Sequence, residues 1–347
     1  YYLRDGLGGF RGCKTIGKVL ALLFSVFCVL ASFGIGNMSQ INSIAANMKS
    51  AFRIPNWVTG ALLMIIAALV IVGGLKRIAA VTEKLVPVMA VAYVVGALIL
   101  VILNAGNIAP AFASIFKGAF AMKAVGGGIV GSGVKAAVNW GMKRGVFSNE
   151  AGHGSSVMVH SNSNVKEPVT QGMWGIFEVF ADTLVVCTLT ALAVLTSGLV
   201  DLNTGAMLTS TEKTAMVAEA FSLEFGAFGS AFIAVAILLF AFSTVLGWSH
   251  YGTKAFVYLF GTKATMFYKI IFVVFIMVGA TMQLDLAWDL SDTFNGLMAI
   301  PNLIGVLALS GLVRRITKNY IDRTLKGKDV APMYSAFEDI QQEEMRS

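Results

Sequence analysis

Long apolar runs separated by short polar segments dominate the chain. Apolar windows occupy residues 19–38, 55–75, 85–104, 170–198, 226–249, 268–285 and 293–313. Each suits an α-helix crossing a hydrocarbon core about 30 Å thick, which takes ~20 residues. The runs do not alternate in and out at every second residue, which speaks against a closed β-barrel. Backbone groups in lipid must pair within their own segment, so the windows are helices. An eighth window, 133–163, is interrupted by Lys135, Lys143, Arg144, Asn149 and Glu150.

Composition sharpens this picture. Of the 347 residues 56% are apolar and 13% are charged, against about 45–50% and 25% in soluble domains. An ordinary water-soluble domain is thereby excluded. So are disordered, collagenous and disulfide-rich chains, since there are only six prolines and three cysteines. Cys13, Cys28 and Cys187 form an odd, scattered set, read as reduced packing residues.

The net charge of +7 is unevenly spread. Arg4 to Lys18, Lys76 to Lys84, Lys166, Lys254 to Lys269 and Arg314 to Arg346 hold most of the basic residues. The intervening connections carry few bases, beside Asp201, Glu212, Glu219, Glu224, Asp285, Asp289 and Asp292. Basic loops face the cytoplasm, so the first set is placed inside, with both ends of the chain. That demands an even number of spans, and eight satisfies it. The positive charge then needs no nucleic acid. Residues 1–18 become a cytoplasmic or interfacial segment, 19–317 the spanning domain and 318–347 a cytoplasmic tail whose basic half anchors at lipid headgroups. The chain opens on Tyr1 with no signal-peptide pattern, so an internal piece of a longer protein is expected.

The eighth window carries the most information. As one straight helix, residues 125–163 would run roughly 58 Å, too long for a bilayer. With Lys135 at the outer interface, Phe147 lies ~18 Å deep. The segment Ser148–Gly152 then falls near the membrane middle. Gly145, Gly152 and Gly154 bracket it, and Gly, Ser and Asn form helix poorly. The expectation is a helix broken at mid-depth, its second half starting near Gly154. A glycine-rich helix in close crossing is the alternative. A break in lipid is tolerated only where the freed backbone lines a cavity or is covered by protein. The exposed ends make sites for cations and carboxylates.

Charges inside spans are costly and are expected to be paired. Glu178 and Asp182 lie four residues apart on one helical face. With Lys143, Arg144 and Glu150 they are expected to form a buried ion network, Arg144 facing Asp182 at similar depth. Elsewhere, Ser243 and Thr244 are adjacent hydroxyls in an apolar span. They suit a hard cation such as sodium, or simply bond back to their own helix. Asn37, Ser39, Gln40 and Asn42 line a cavity or cap a helix end. Pro301 is expected to kink the last span, with Asn295 and Asn302 near the outer vestibule or the kink. His153, His160 and His250 lack metal-ligand spacing, and His250 is expected at the interface.

At GVFSNEAGHGSS (residues 145–156) the chain resembles the alanine/glycine:cation symporters, the sodium:alanine symporter family. YYLRDGLGG, SFGIGNMSQINSIA, GGLKRIAAVTEKLVPVMA, DTLVVCTLTALAVLTSG and AFSTVLGWSHYG extend the likeness along nearly the whole chain. The resemblance implies an all-α integral membrane protein with a leucine-transporter-like fold of two inverted repeats. This chain would lack the first two core helices, with a partial first repeat over 19–124 and a second over 125–317. It implies a substrate region at Phe147, Ser148, Asn149, Glu150 and Gly152; Asn37, Gln40 and Trp248 are added to it as further candidates. It also assigns sodium to Ser243 and Thr244.

The function expected is sodium-coupled symport of alanine or glycine by alternating access in the plasma (cytoplasmic) membrane, with sodium as coupling ion and no cofactor. Proton coupling through Glu150 or Asp182 is the alternative. An intramembrane serine hydrolase using His153 with Ser155 or Ser156 is a weaker one, because a nucleophile needs an oriented base and residues two apart on a helix face different ways. A channel would need charge rings or symmetric assembly. The chain is not expected to be an enzyme.

Overall fold

A computed structural model describes residues 1–10, 12–120, 130–150, 152–211 and 213–346. Lys135's side chain, Ala151 and the repeat boundary at 124/125 lie outside the described residues. Among the described residues the architecture is all-helical apart from one isolated bridge, Val200 to Met207. Six helices among the described residues are long and apolar enough to cross a membrane; the eight expected are not all reached by that measure.

The first is α1, Lys14–Phe52. It keeps helical continuity through Asn37, Ser39, Gln40 and Asn42 by widening into a π-turn over Gly34–Met38. Next come α2, Asn56–Val72, shorter but apolar, and α3, Gly74–Leu103. The latter starts well before its apolar window because Lys76, Arg77, Glu83 and Lys84 form helix readily. An amphipathic helix, α4 (Ile108–Phe120), follows. Beyond it lie α5 (Val130–Asn149), a single turn α6 (Val157–His160) and the spanning helix α7 (Pro168–Thr196). Then come α8 (Thr214–Phe225), α9 (Ala227–Phe260), α10 (Thr265–Thr281) and α11 (Leu284–Tyr320). The tail closes with α12, Glu338–Arg346. Pro301 does not interrupt α11, which runs through it.

The central element is α9. Ala241, Phe242, Val245 and Leu246 pack with α1, α2 and α10 around Tyr268 and Phe272. Ile233 and Ala236 pack with α3, α7 and α8 around Phe221. Trp248 and Ala255 join α1, α11 and the first residues of the chain. Small residues permit these approaches: a Cβ on Gly36 would overlap the Trp248 side chain, and one on Gly60 would lie 2.6 Å from Ala280. The segment 1–18 is not merely interfacial in its contacts, since Leu3 and Leu7 are buried. Outer faces carry exposed apolar side chains such as Leu69, Val88, Ile102, Ile176 and Leu307. That is the reverse of a water-soluble protein, and the chain is a multi-pass membrane protein.

Candidate functional site

The eighth window does break, and at the expected residues. Helix α5 ends at Asn149. Glu150 takes φ +50°, and Gly152 and Gly154 take +75° and +76°, left-handed backbone that ends a helix. The second half-helix expected from Gly154 is reduced to the four residues of α6. The sequence after it, Ser161 to Lys166, favours turns, and Pro168 opens α7.

The end of α5 is stitched to α7. Ser148 donates to Asp182, and Thr183 donates to the Asn149 side-chain oxygen at 2.6 Å. Both acceptor and donor lie in a π-turn of α7, Phe180–Cys187. Glu150 is held from the other side. Ser155 Oγ donates to its carboxylate at 2.6 Å, and Trp248 and the Ser156 amide also reach it.

Two clefts meet at Glu150. One, about 370 Å³, brings together Glu150, Ser243, Thr244, Trp248, Thr82 and His250. Ser243 and Thr244 both donate to the Phe240 carbonyl, at 2.8 and 3.1 Å. Their bonds are thus the plain helical ones, and their oxygens still face the cleft as acceptors. The other, about 960 Å³, is lined by Ser148, Asn149, Glu150, Gly152, Glu178 and Asp182, with Asn302 and Glu344. His160 accepts from Gln171 at Nδ1, 2.7 Å, if its proton sits on Nε2, which lies 3.3 Å from Glu178.

The expected ion network is not the one formed. Glu150, Glu178 and Asp182 share the larger cleft, while Lys143 and Arg144 line a different one of about 470 Å³. Both bases pair with Asp292 of α11, at 2.8 and 2.5 Å. Asp182 is instead taken by Ser148. The reason is geometric: Glu178 and Asp182 are carried by α7, and the bases project toward Asp292 on α11. Sequence reasoning missed Asp292 because the last apolar window started one residue later. The run Asp285–Trp288–Asp289–Asp292 places acids and a ring at i, i+3 and i+4 spacing, a signal of one charged face.

Other expected residues are dispersed. Phe147 packs on Trp288, ring centres 5.4 Å apart. Asn37 is buried and donates to the Phe272 carbonyl at 2.7 Å, and Gln40 donates to Ile35. Neither borders the two clefts that meet at Glu150. The π-turn carrying Asn37 reaches the site indirectly, through Gly36 against Trp248. His250 is buried rather than interfacial. Ser155 pairs with Glu150, and His153 Nδ1 has no hydrogen-bond partner among the described residues. Among the described residues of this segment no serine is hydrogen-bonded to a histidine base.

Comparison with known proteins gives the family. The family model described as the sodium:alanine symporter family matches residues 1–334, its match beginning at residue 1. The sodium/alanine symporter AgcS of Methanococcus maripaludis is 42% identical over 326 residues, which are 92% of this chain and 68% of that one. The amino-acid carrier protein AlsT of Bacillus subtilis is 34% identical over 338 residues, 97% of this chain and 68% of that one. A sodium/proton-dependent alanine carrier protein of Bacillus sp. is 34% identical over 302 residues, 84% and 67% respectively.

Proposed function

This chain belongs to the sodium:alanine symporter family, and from that premise we propose that it serves sodium-coupled symport of alanine or glycine, with Glu150 at the centre of the site. It is a transporter and not an enzyme. The observation that carries the site is the cleft joining Glu150 to Ser243, Thr244 and Trp248. Glu150, Ser243 and Thr244 give it oxygens and, among the described residues, no lysine or arginine lines it, and oxygen is the donor a hard cation prefers. The end of α5 adds carbonyls left without intrahelical partners and the negative end of its dipole. Glu178 and Asp182 make the larger cleft acidic, so cations are drawn toward the same point.

The cargo is a small zwitterion. Its ammonium group fits against Glu150 and the α5 carbonyls, and its carboxylate against the amides near Ser156. Trp248 and the close turn around Gly152 limit the side chain to a short one. Phe147, Ser148 and Asn149 shape this end of the helix; Asn37 and Gln40 support it from the π-turn of α1. Sodium and cargo ordering the segment after Asn149 would favour one arrangement of alternating access.

In this reading the fold is two inverted repeats with eight crossings, in the plasma membrane, both ends of the chain cytoplasmic. The exposed apolar faces of α2, α3, α7 and α11 meet lipid. A proton-coupled variant is the second reading, favoured by one observation: the Glu150 carboxylate is held inside the spanning bundle by Ser155 rather than by a base.

Uptake of labelled alanine into proteoliposomes decides between them. Uptake that collapses when choline replaces sodium is the expected result. Uptake unchanged by that replacement but driven by a pH gradient would overturn sodium coupling and leave the second reading.

A further inference from the structure

We propose that Tyr2 and Asn302 form a clamp that positions the unwound segment between Asn149 and Val157, and so set alanine affinity without touching the cargo; this rests on the transport reading above. Asn302, on α11, is 3% exposed. Its Nδ2 donates to the Gly152 carbonyl at 2.8 Å, and its Oδ1 accepts from the Tyr2 hydroxyl. Three remote parts of the chain meet there: the first turn, the last spanning helix and the break.

Each member has a distinct task. The Gly152 carbonyl is left without a helical partner by the break, and Asn302 supplies one. An amide can rotate by half a turn and present oxygen instead, setting two acceptors against each other. The Tyr2 hydroxyl, as donor to Oδ1, holds the orientation in which nitrogen faces Gly152. Glu150 and Ser155 flank that carbonyl, so its position fixes theirs.

Packing shows that the clamp is built to close tolerance. A Cβ on Gly154 would lie 2.5 Å from Asn302 Oδ1 and 2.9 Å from the Tyr2 oxygen. The turn bearing Tyr2 is itself seated on α11. Leu3 sits where a Cβ on Gly305 would be, and Gly6 abuts Leu309. Tyr2 and Asn302 act through Gly152, which makes them positioning residues.

The test uses the reconstituted full chain with Tyr2→Phe, Asn302→Ala and both together. One hydrogen bond corresponds to about a three- to tenfold effect. Tyr2→Phe should raise the alanine KM about that much at unchanged maximal rate. Asn302→Ala should raise it at least equally. The double variant should match Asn302→Ala, because the hydroxyl works only through the amide. Effects that multiply in the double variant would overturn the clamp.

A second readout needs no transport. Cys13 and Cys187 are changed to serine, buried Cys28 is kept, and Ser156→Cys provides one reactive thiol. Its alkylation by a small maleimide should accelerate about threefold or more in Tyr2→Phe and further in Asn302→Ala. A wild-type alkylation rate in both variants would overturn the proposal. Faster alkylation in a protein that moves no alanine with sodium would keep the clamp and defeat the transport reading alone.

Discussion

The Arg144 guanidinium lies 2.5 Å from the Asp292 carboxylate, and Lys143 reaches the same oxygen at 2.8 Å. One acid on α11 thus pairs with two consecutive bases near the end of α5. Arg144 also stands over the rings of Trp140, Phe147 and Trp288, 5.2 to 5.5 Å from their centres. The Asp292 side chain is 10% exposed and that of Arg144 37%, so solvent screens part of the attraction. Asp292→Asn should cost about 1–2 kcal/mol, read as a lowered melting temperature in detergent. Exchanging the charges, Arg144→Asp with Asp292→Arg, should recover part of it. Exchange of Arg144 with Asp182 should recover nothing.

Glu150 is expected to matter for transport more than for stability. Glu150→Gln retains an oxygen for the Ser155 hydroxyl but removes the charge proposed to face sodium and the cargo ammonium. Losing a charged partner is worth about 1.5–3 kcal/mol. Sodium-driven alanine uptake should therefore fall about tenfold or more. The elution profile in size-exclusion chromatography should stay that of the parent protein.

The hydroxyl pair separates cation binding from folding. Ser243 and Thr244 both bond to Phe240 within their own helix, so their loss frees no distant group. Ser243→Ala or Thr244→Val should leave thermal stability within about 0.5 kcal/mol. Each should raise the sodium concentration for half-maximal uptake about fivefold, the value of one oxygen ligand near 1 kcal/mol. A sodium titration at saturating alanine reads this directly.

Seven apolar windows correspond to helices of the structure because hydropathy reports transfer out of water, which governs what can sit in lipid. The break at Glu150 was also legible, since glycines with positive φ leave a compositional mark. Hydropathy says nothing about partners. It could not show that Arg144 would turn to Asp292 rather than Asp182, because which neighbour a helix face meets is set by packing. Nor could it show Asn302 taking the Gly152 carbonyl, a contact between residues 150 positions apart. Helix α4 was missed because its 13 residues fall short of a spanning run. The second half-helix expected from Gly154 is a single turn, because the serine, asparagine and glycine content around it favours turns.

Gly36 tests the link between the π-turn of α1 and the site. Its Cα side faces Trp248 so closely that an added methyl group would overlap the indole. Gly36→Ala must push Trp248 toward Glu150 or separate α1 from α9. Overpacking of this kind costs about 1–3 kcal/mol. The expected signature is a lower melting temperature together with a changed Trp fluorescence maximum and a raised alanine KM. A variant that melts earlier with normal KM would place the strain between the helices instead of in the site.

The loop before α8 should respond to acid. Glu219 accepts from Thr209 at 2.6 Å and from Thr211. These two hydroxyls hold its carboxyl below the ordinary glutamate value. A lowered folded pKa means that the unfolded loop binds protons more readily. The stabilisation is therefore complete above the ordinary glutamate value and is lost as pH falls through the lowered one. Protease cleavage between Leu208 and Lys213 should accelerate across that acidic range. In Glu219→Gln, cleavage should already be faster at neutral pH and should lose its dependence on acid. Thr209→Val with Thr211→Val should also cleave faster at neutral pH, because the carboxylate is present but no longer held.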